Sequence, residues 1–319
     1  MDIKNFDDFP TIAISYFDYM LTIKGKSHNT VKAYSYDLEL FLKFIKQRKN
    51  DLHDIDFDQI PINDIDIEFI KKIDLNDLYA FLSYVSVNRH NGSNARARKV
   101  ACLKSFFNFL YNKMKLIDHN PTSELESPKI GQRNPVYLEL DESKKLLNSI
   151  NGPFYERDYA IITLFLNTGL RLSELVTINI SSIKNDKFRV TGKGDKERTI
   201  YLNNACMAAI KNYLAVRPVD GIIDRDALFL SKRKKRISPK TVQYIVKKYV
   251  KAAGLDVDKY STHKLRHTAA TLMYKYGKVD IRTLQSILGH SSVATTQIYT
   301  HVDEDILRKA VNKNPLSDI

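Results

Sequence analysis

The sequence predicts a mainly α-helical protein of two domains, in which the first is all-helical and the second carries a small β-hairpin among its helices. Apolar residues recur at helical spacing along most of the 319 residues. Residues 187–202 instead alternate around a glycine-bearing turn, which is typical of a hairpin. Residues 118–136 hold three prolines and a glycine, a composition that ends helices. We therefore place a first domain at residues 1–118, a linker at 119–136 and a second domain at 137–319.

The first domain is predicted to contain four helices. They cover residues 9–21, a stretch that begins between Ser27 and Thr30, residues 75–87 and residues 94–114. The stretch 51–73 between the second and third helices has little periodicity and is predicted to be an acidic loop or insertion. In the fourth helix we expect these side chains to face inward: Val100, Leu103, Phe106, Phe107, Leu110 and Tyr111.

The second domain is predicted to alternate helices with one hairpin. Its helices cover residues 142–150, residues 159–167, a short segment that begins at Arg171, residues 205–217 and residues 238–253. The hairpin carries Lys193 at its tip. Two helices follow residue 260, and we expect the first to end at Gly277 in a left-handed cap and the second at Gly289. A third helix then carries Tyr299.

Positive charge is concentrated in the second half of the chain. Residues 131–319 hold 32 Lys and Arg against 19 Asp and Glu, which accounts for the whole formal charge of +13. Such an asymmetry is the electrostatic footprint of a nucleic-acid binder, and general solubility would not explain it. The first half is balanced only because residues 51–77 hold nine acids. We expect this acidic stretch to lie away from DNA.

Composition and motif spacing argue against several other kinds of protein. Cys102 and Cys206 each stand alone in an apolar context, so neither a disulfide framework nor a zinc cluster is indicated. His263 and His267 form an H-x-x-x-H pair, but Lys264 stands where a zinc protease needs its glutamate. No apolar run reaches the about 18 residues of a membrane span, and the amino terminus has no signal region. We expect a cytoplasmic protein with no metal, no cofactor and no membrane partner.

Candidate catalytic side chains are concentrated in residues 260–302. His263 and Arg266 lie three residues apart at the start of an amphipathic helix, so both point the same way. His290 follows the end of the next helix, and Tyr299 comes nine residues later. A cation pair, a second histidine and a tyrosine suit phosphoryl transfer to the tyrosine. Each residue alone is more typical of a surface or packing position, so the prediction rests on the spacing of the set.

Four motifs resemble those of the tyrosine recombinase family: T-G-L-R-L-S-E-L, T-G-K-G-D-K-E-R, H-K-L-R-H-T-A-A-T and L-G-H-S-S-V-A-T-T-Q-I-Y-T-H-V. The first half contains S-H-N-T-V-K-A-Y-S-Y-D-L, which resembles the family's core-binding domain. The similarity spans nearly the whole chain and is nearest to the Xer-like branch. It implies an all-helical core-binding (SAM-like) domain over residues 1–118 and a mainly helical α+β catalytic domain over 137–319. The acidic stretch 51–73 is longer than the family leads us to expect.

The resemblance assigns the main chemical roles. Tyr299 would attack a DNA phosphodiester and become joined to the 3′ phosphate, which leaves a free 5′ hydroxyl. Arg171 and Arg266 would bind the non-bridging oxygens and stabilise the charge that develops in the transition state. Lys193 would protonate the departing 5′ oxygen.

Supporting roles are implied as well. His263 would assist proton transfer to and from the tyrosine, and His290 would donate to the phosphate. Glu174 would orient an arginine by a salt bridge rather than take part in the chemistry. Basic side chains that are candidates for DNA contacts are Arg96, Arg98, Lys99, Lys104, Arg133, Arg233, Lys234 and Lys235.

The family likeness implies a site-specific recombinase that acts on two DNA duplexes through a Holliday junction, without metal or ATP. The active assembly would be a homotetramer, or a heterotetramer with a paralogous recombinase. Chromosome-dimer resolution, inversion, and integration or excision of a mobile element all stay open as roles. Two other functions stay open too: a type IB topoisomerase-like enzyme that relaxes DNA without strand exchange, and a non-catalytic DNA-binding accessory protein.

Overall fold

The computed structural model describes residues 6–52, 54–129, 131, 135–191, 197–289 and 296. The chain divides into two compact units, Met1–Gln132 and Arg133–Ile319, here called the first and the second unit. Helices make up most of both units, and the strands described form one two-stranded antiparallel sheet in the second unit. The predicted fold class is confirmed. None of the helices in the described part of the chain combines the length and the apolar content of a membrane-spanning segment.

The first unit is a bundle of helices. Its elements are α1 (Thr11–Asp18) with a π-helical turn (Tyr19–Ile23), α2 (His28–Asn50), a 3-10 turn (Phe57–Gln59), α3 (Ile67–Lys71), α4 (Leu75–Val87) and α5 (Ser93–Asn108) with a second π-helical turn (Phe109–Lys113). Side chains cap the starts of three of these helices, and in α3 Asp66 accepts a hydrogen bond from the backbone N of Phe69. Ser27 accepts a hydrogen bond from the backbone N of Thr30, and Asp74 and Asp77 form a capping box at α4.

An aromatic cluster forms the centre of the first unit. The rings of Tyr16, Phe17, Phe41, Phe81, Phe106 and Phe107 are fully buried. Burial of each such side chain stabilises the fold by roughly 1.5–3 kcal/mol. The inward face expected for the fourth helix is confirmed except at its end, because Tyr111 lies at the surface with 37% of its area exposed.

The acidic stretch does not form a loose insertion, which corrects the sequence prediction. Ile62, Ile65, Ile70 and Ile73 lie in the core of the first unit, and Ile60 is buried as well. The segment follows no regular period because short 3-10 and helical turns interrupt it, and each isoleucine enters the interior separately. The stretch is therefore an integral part of the first unit.

The carboxylates near this stretch pair with the basic end of α2. Lys46 Nζ lies 2.6 Å from Asp64 Oδ1, and Lys49 Nζ lies 2.7 Å from Asp77 Oδ2. Arg48 reaches the same Asp77 carboxylate at 3.4 Å. The carboxyl-terminal turns of α2 thus carry much less net charge than their sequence suggests.

The second unit is built around one buried helix. Its elements are α6 (Leu140–Asn148), α7 (Tyr155–Thr168), α8 (Leu172–Val176), a 3-10 turn (Ile180–Ser182), β1 (Lys187–Thr191), β2 (Glu197–Tyr201), α9 (Asn204–Val216), α10 (Pro239–Ala252), α11 (Thr262–Lys275) and α12 (Ile281–Leu288). Helix α7 is buried along nearly its whole length and packs against α9 and α11. Its apolar character, which runs around all faces, explains this central position.

The predicted hairpin is present, and one predicted helix end differs. Strands β1 and β2 pair antiparallel, with Phe188 opposite Ile200 and both side chains buried. After α11 the residue in the left-handed region is Lys278, with φ of 52°, rather than Gly277. The cap predicted at Gly289 is confirmed, since its φ is 63°.

Candidate active site

Arg171 lies between the end of α7 and the start of α8. It is the N-cap residue of α8, and Glu174 accepts hydrogen bonds from its backbone N at 2.7 Å and from its Nη1 at 2.8 Å. Its Nη2 donates to the carbonyl oxygen of Gly289 at 2.9 Å. The guanidinium is therefore held by its own helix start on one side and by the end of α12 on the other.

Arg266 lies on α11 and is only 4% exposed. Its Nη1 donates to the carbonyl oxygen of Gly169 at 2.6 Å, and its Nη2 donates to that of Leu288 at 2.6 Å. These carbonyls belong to the ends of α7 and α12, where the last turns leave acceptors without helical partners and the helix dipole is negative. The buried guanidinium satisfies them, which fixes its position.

The two arginines meet at the end of α12. They donate to the carbonyl oxygens of the neighbouring residues Leu288 and Gly289, so their guanidinium groups lie near each other. Carbonyl groups are dipoles and do not neutralise a cation. Two fixed positive charges at one place can bind a phosphate and stabilise the added negative charge of its transition state.

Two glycines allow the helix ends to approach closely. Gly169 has φ of 62°, and a Cβ there would lie 2.8 Å from Leu288 Cδ2. Gly289 has φ of 63°, and a Cβ there would lie 2.8 Å from Arg198 Cδ. Both positions therefore need glycine for conformation and for space, and a larger residue at either would move the carbonyls that hold the arginines.

Glu174 joins a second arginine to the site, one that sequence reasoning missed. Arg198 of β2 donates from Nη1 to Oε1 at 2.7 Å and from Nη2 to Oε2 at 2.9 Å of the buried carboxylate. Burial alone would raise the pKa of Glu174, but hydrogen bonds from Arg171 and Arg198 outweigh it and lower the pKa below its usual value. The predicted supporting role of Glu174 fits these contacts. Period-two alternation, which puts Arg198 on the face of the buried Ile200, was the available signal.

His263 lies on the first turn of α11, one helical turn before Arg266. Its ring packs edge to face against His267, with centroids 4.5 Å apart. Partial burial, followed by the charges of Arg266, Lys264 and Arg171, lowers the pKa of His263. The imidazole is therefore neutral near pH 7 and able to accept a proton.

Three of the predicted catalytic residues lie outside the described residues: Lys193, His290 and Tyr299. The strands that flank Lys193 are described, and His290 directly follows Gly289 in the chain. The structure thus brings together Arg171, Glu174, His263 and Arg266, which fits the sequence prediction for that part of the set.

The basic residues predicted on the fourth helix differ in exposure. Lys99 is 5% exposed and donates to Asp37 Oδ1 at 2.7 Å, while Arg98 binds the same carboxylate with two hydrogen bonds. Arg96 donates to the hydroxyl of Ser86 and Lys104 is partly exposed. A buried ammonium that is paired with a carboxylate cannot reach a DNA backbone, so the structure argues against Lys99 as a phosphate contact.

The basic loop before α10 is exposed and anchored by its last residue. Arg236 binds Asp224 Oδ2 at 2.8 Å and Asn179 Oδ1 at 2.6 Å, which ties the loop to the unit. Arg233, Lys234 and Lys235 are exposed, and Lys234 donates to the Asp220 carbonyl oxygen at 2.8 Å. The remaining candidate, Arg133, lies outside the described residues.

Two family models match the chain. The model "Phage integrase family" matches residues 136–305, and the model "Phage integrase, N-terminal SAM-like domain" matches residues 13–114. The protein named "Tyrosine recombinase XerC" of Caldanaerobacter subterraneus subsp. tengcongensis is 64% identical over 310 residues, which cover 97% of this chain and 88% of that protein. A protein of the same name from Thermodesulfovibrio yellowstonii is 34% identical over 313 residues, covering 95% and 96%.

Solved structures share the fold. XerH site-specific recombinase bound to palindromic difH substrate, in a post-cleavage complex, has a TM-score of 0.70 at 22% identity, covering 94% of this chain and 84% of that one. A λ integrase tetramer bound to a Holliday junction has a TM-score of 0.64 at 18% identity, covering 88% and 77%.

Proposed function

The chain belongs to the phage integrase family, the tyrosine recombinases, and we propose that it cuts and rejoins DNA at specific sites through Tyr299. The family predicted from the sequence motifs is confirmed, as is the enzyme class. The observation that carries the proposed mechanism is the pair of guanidiniums fixed by the carbonyls at the end of α12.

The proposed cleavage step forms one bond and breaks another at a single phosphorus atom. Tyr299 Oη attacks the scissile phosphate, the bond to the 5′ oxygen breaks, and the 3′ phosphate remains joined to the tyrosine. Arg171 and Arg266 bind the non-bridging oxygens, where negative charge develops. The phosphotyrosyl bond keeps the free energy of the phosphodiester, so rejoining needs no ATP.

Proton transfers accompany both halves of the reaction. The lowered pKa of His263 leaves a neutral imidazole that can take the proton of the attacking phenol. Lys193 gives a proton to the departing 5′ oxygen, and His290 donates to the phosphate. Rejoining reverses each transfer, with the 5′ hydroxyl of a second duplex as the attacking group.

The domains have separate roles in this proposal. Residues 1–118 bind DNA as the core-binding domain, residues 119–136 link the two, and residues 137–319 carry the catalytic site. The matches over residues 13–114 and 136–305 support this division. The exposed residues Arg233, Lys234 and Lys235 contact phosphates, as does Arg133 of the linker.

The proposed assembly is a tetramer on two duplexes. One related structure is a λ integrase tetramer bound to a Holliday junction, which supports four chains exchanging strands. The four chains are copies of this protein, or pairs of this protein and a paralogous recombinase. We place the reaction in the cytoplasm, where the chromosome lies.

The test is an adduct assay on a nicked duplex taken from the protein's own genome. The nick lets the cleaved fragment diffuse away, so a covalent protein–DNA product accumulates and is read on a denaturing gel in the presence of EDTA. We expect the adduct with the wild type and with Tyr276→Phe, since Tyr276 is a residue with 53% of its area exposed, and none with Tyr299→Phe. An adduct that persists without Tyr299 would refute the assignment.

A two-site plasmid distinguishes recombination from relaxation. A recombinase yields products with exchanged flanks from a plasmid that carries two target sites. Relaxed circles without any recombinant product would instead assign the same cleavage chemistry to a topoisomerase-like function.

A further inference from the structure

We propose that Arg198 is a positioning residue, which sets the orientation and the effective charge of Arg171 by way of Glu174. The proposal rests on the proposed function and deepens it, since it explains how the hairpin takes part in the phosphate clamp. The side chain of Arg198 is 10% exposed, whereas that of Arg171 is 34% exposed. Arg171 can therefore reach a phosphate while Arg198 stays behind it.

The hydrogen bonds on Glu174 show what Arg198 contributes. Oε1 accepts from Arg171 Nη1 at 2.8 Å and from Arg198 Nη1 at 2.7 Å. Oε2 accepts from the backbone N of Arg171 at 2.7 Å and from Arg198 Nη2 at 2.9 Å. The two parallel bonds from Arg198 fix the plane of the carboxylate, which in turn fixes the bond between Glu174 and the Arg171 side chain.

The net charge of Arg171, Arg198 and Glu174 gives a second reason why two arginines bind one carboxylate. A carboxylate paired with one guanidinium neutralises it, and a neutralised Arg171 would attract a phosphate weakly. Here two guanidiniums share one buried carboxylate, so positive charge is left over at the site. Arg198 thus lets Glu174 hold Arg171 without cancelling the charge that Arg171 needs.

Packing closes the network into a ring. The side chain of Arg198 passes so close to Gly289 that a Cβ there would meet Arg198 Cδ at 2.8 Å and Nη1 at 3.0 Å. The Gly289 carbonyl oxygen accepts from Arg171 Nη2 at 2.9 Å. Arg198, Glu174, Arg171 and Gly289 therefore join β2, the start of α8 and the end of α12, and a shift of the hairpin moves the clamp.

The experiment compares Arg198 with another arginine of the same hairpin. Arg189 on β1 forms an exposed ion pair with Glu197, with 77% of its side chain exposed, so Arg189→Met is the matched control. We measure adduct formation in a single turnover on the nicked duplex, together with DNA affinity and thermal unfolding. Arg198→Met should bind DNA as the wild type does and form the adduct about 10–100-fold more slowly. The rate of adduct formation by Arg198→Lys should lie between those of the wild type and Arg198→Met, and the rate of Arg189→Met should match the wild type.

The hairpin can affect cleavage through Arg171 or through Lys193, and a modified substrate distinguishes these two effects. When sulfur replaces the scissile 5′ oxygen, the leaving group departs without protonation, so cleavage does not need Lys193. We expect Arg198→Met to remain slow on this duplex, because its defect lies in Arg171. Full recovery would overturn the proposal, since Arg198 would then act on Lys193.

Coupling to Glu174 provides the second readout. Glu174→Gln combined with Arg198→Met should be no slower than the slower single variant, because both changes interrupt one path. The proposal would be refuted if the rate losses of the two single variants multiplied in the double variant. It would also be refuted if Arg198→Met formed the adduct at a rate within twofold of that of Arg189→Met. If Arg198→Met unfolds at the assay temperature, Arg198→Lys is measured in its place. Adduct formation by Arg198→Lys at the wild-type rate would then refute the proposal. Absence of any adduct from the wild type would refute the proposed function instead.

Discussion

The cations of the first unit and those of the candidate active site are held by different partners. In the first unit Lys99 and Arg98 bind the buried Asp37, and Lys46 binds Asp64. In the second unit Arg266 binds two backbone carbonyls, and Arg171 binds one carbonyl and a carboxylate that it shares. Both arrangements hold the basic side chain in place.

The difference decides what each cation does. Asp37 is shared by two cations, as Glu174 is, but its carboxylate cancels the charge of the buried Lys99. The ion pairs of the first unit hold α2, α5 and the acidic stretch together. A carbonyl orients a guanidinium and leaves its charge in place. In the proposed mechanism this charge acts on the phosphate in its transition state, together with that of Arg171, which shares the Glu174 carboxylate with Arg198. Substitutions at the two kinds of position should separate stability from chemistry.

The largest expected effect is on the stability of the first unit. Asp37→Asn leaves the buried Lys99 without its counter-charge, and we expect a loss of about 3–5 kcal/mol in the free energy of unfolding. Denaturant titration measures it, with Glu68→Gln as the control. The pair of Lys71 and Glu68 is exposed to solvent, so its loss should leave the free energy of unfolding nearly unchanged. Equal losses of unfolding free energy in both variants would show that the buried ion pair stabilises the protein no more than the exposed one.

The next effect is on chemistry. Arg266→Lys keeps the charge but cannot span the Gly169 and Leu288 carbonyls, so adduct formation should slow by about 10²–10³-fold on bound DNA. Arg217→Lys is the matched control, because Arg217 also donates to backbone carbonyls, those of Leu228, Arg225 and Ala227. It should lose stability and keep its cleavage rate. A similar slowing in both variants would mean that the effect reports folding alone.

A smaller effect concerns DNA affinity. Arg233→Met together with Lys235→Met removes two exposed cations of the loop before α10. Binding should weaken without a change in the rate of adduct formation from bound DNA. The slope of log affinity against log salt should fall by about one for each cation that no longer neutralises a phosphate. An unchanged slope in a fluorescence-anisotropy titration would remove this loop from the DNA interface.

The smallest effect is a shift in pH dependence. Because the pKa of His263 lies below its ordinary value of 6.5, the midpoint of the acid-side fall in the cleavage rate should lie below pH 6.5. Lys264→Met removes one of the charges that lower this pKa, so the acid limb of the rate profile should move to higher pH. A shift toward lower pH, or none, would contradict the electrostatic explanation.

The same comparison shows how much of the fold and of the site could be predicted from the sequence. Periodicity predicted the helices and the hairpin, the spacing within residues 260–302 indicated His263 and Arg266, and the family resemblance added Arg171, because these signals are local in the chain. The ring of contacts around Glu174 joins residues far apart in sequence, so only the structure reveals Arg198 as its second partner.

Two other features of the first unit were not foreseen, the burial of Lys99 and that of the isoleucines in the acidic stretch. Lys99 shares a helical face with Leu103 and Phe106, so its burial could have been foreseen had the lysine not been assigned to the surface by its charge. The isoleucines of the acidic stretch enter the core from turns without a regular period, and no periodicity test detects them.

The most direct measurement is the rate of adduct formation on a duplex whose scissile phosphate is replaced by an uncharged methylphosphonate. Backbone carbonyls hold Arg171 and Arg266, and we propose that their charge acts on a phosphate oxygen. A substrate without that charge should need them far less. We expect Arg171→Ala to slow cleavage of the phosphodiester strongly and that of the methylphosphonate only slightly. An equal loss on both substrates would contradict the assignment, since the arginine would then serve only to maintain the structure.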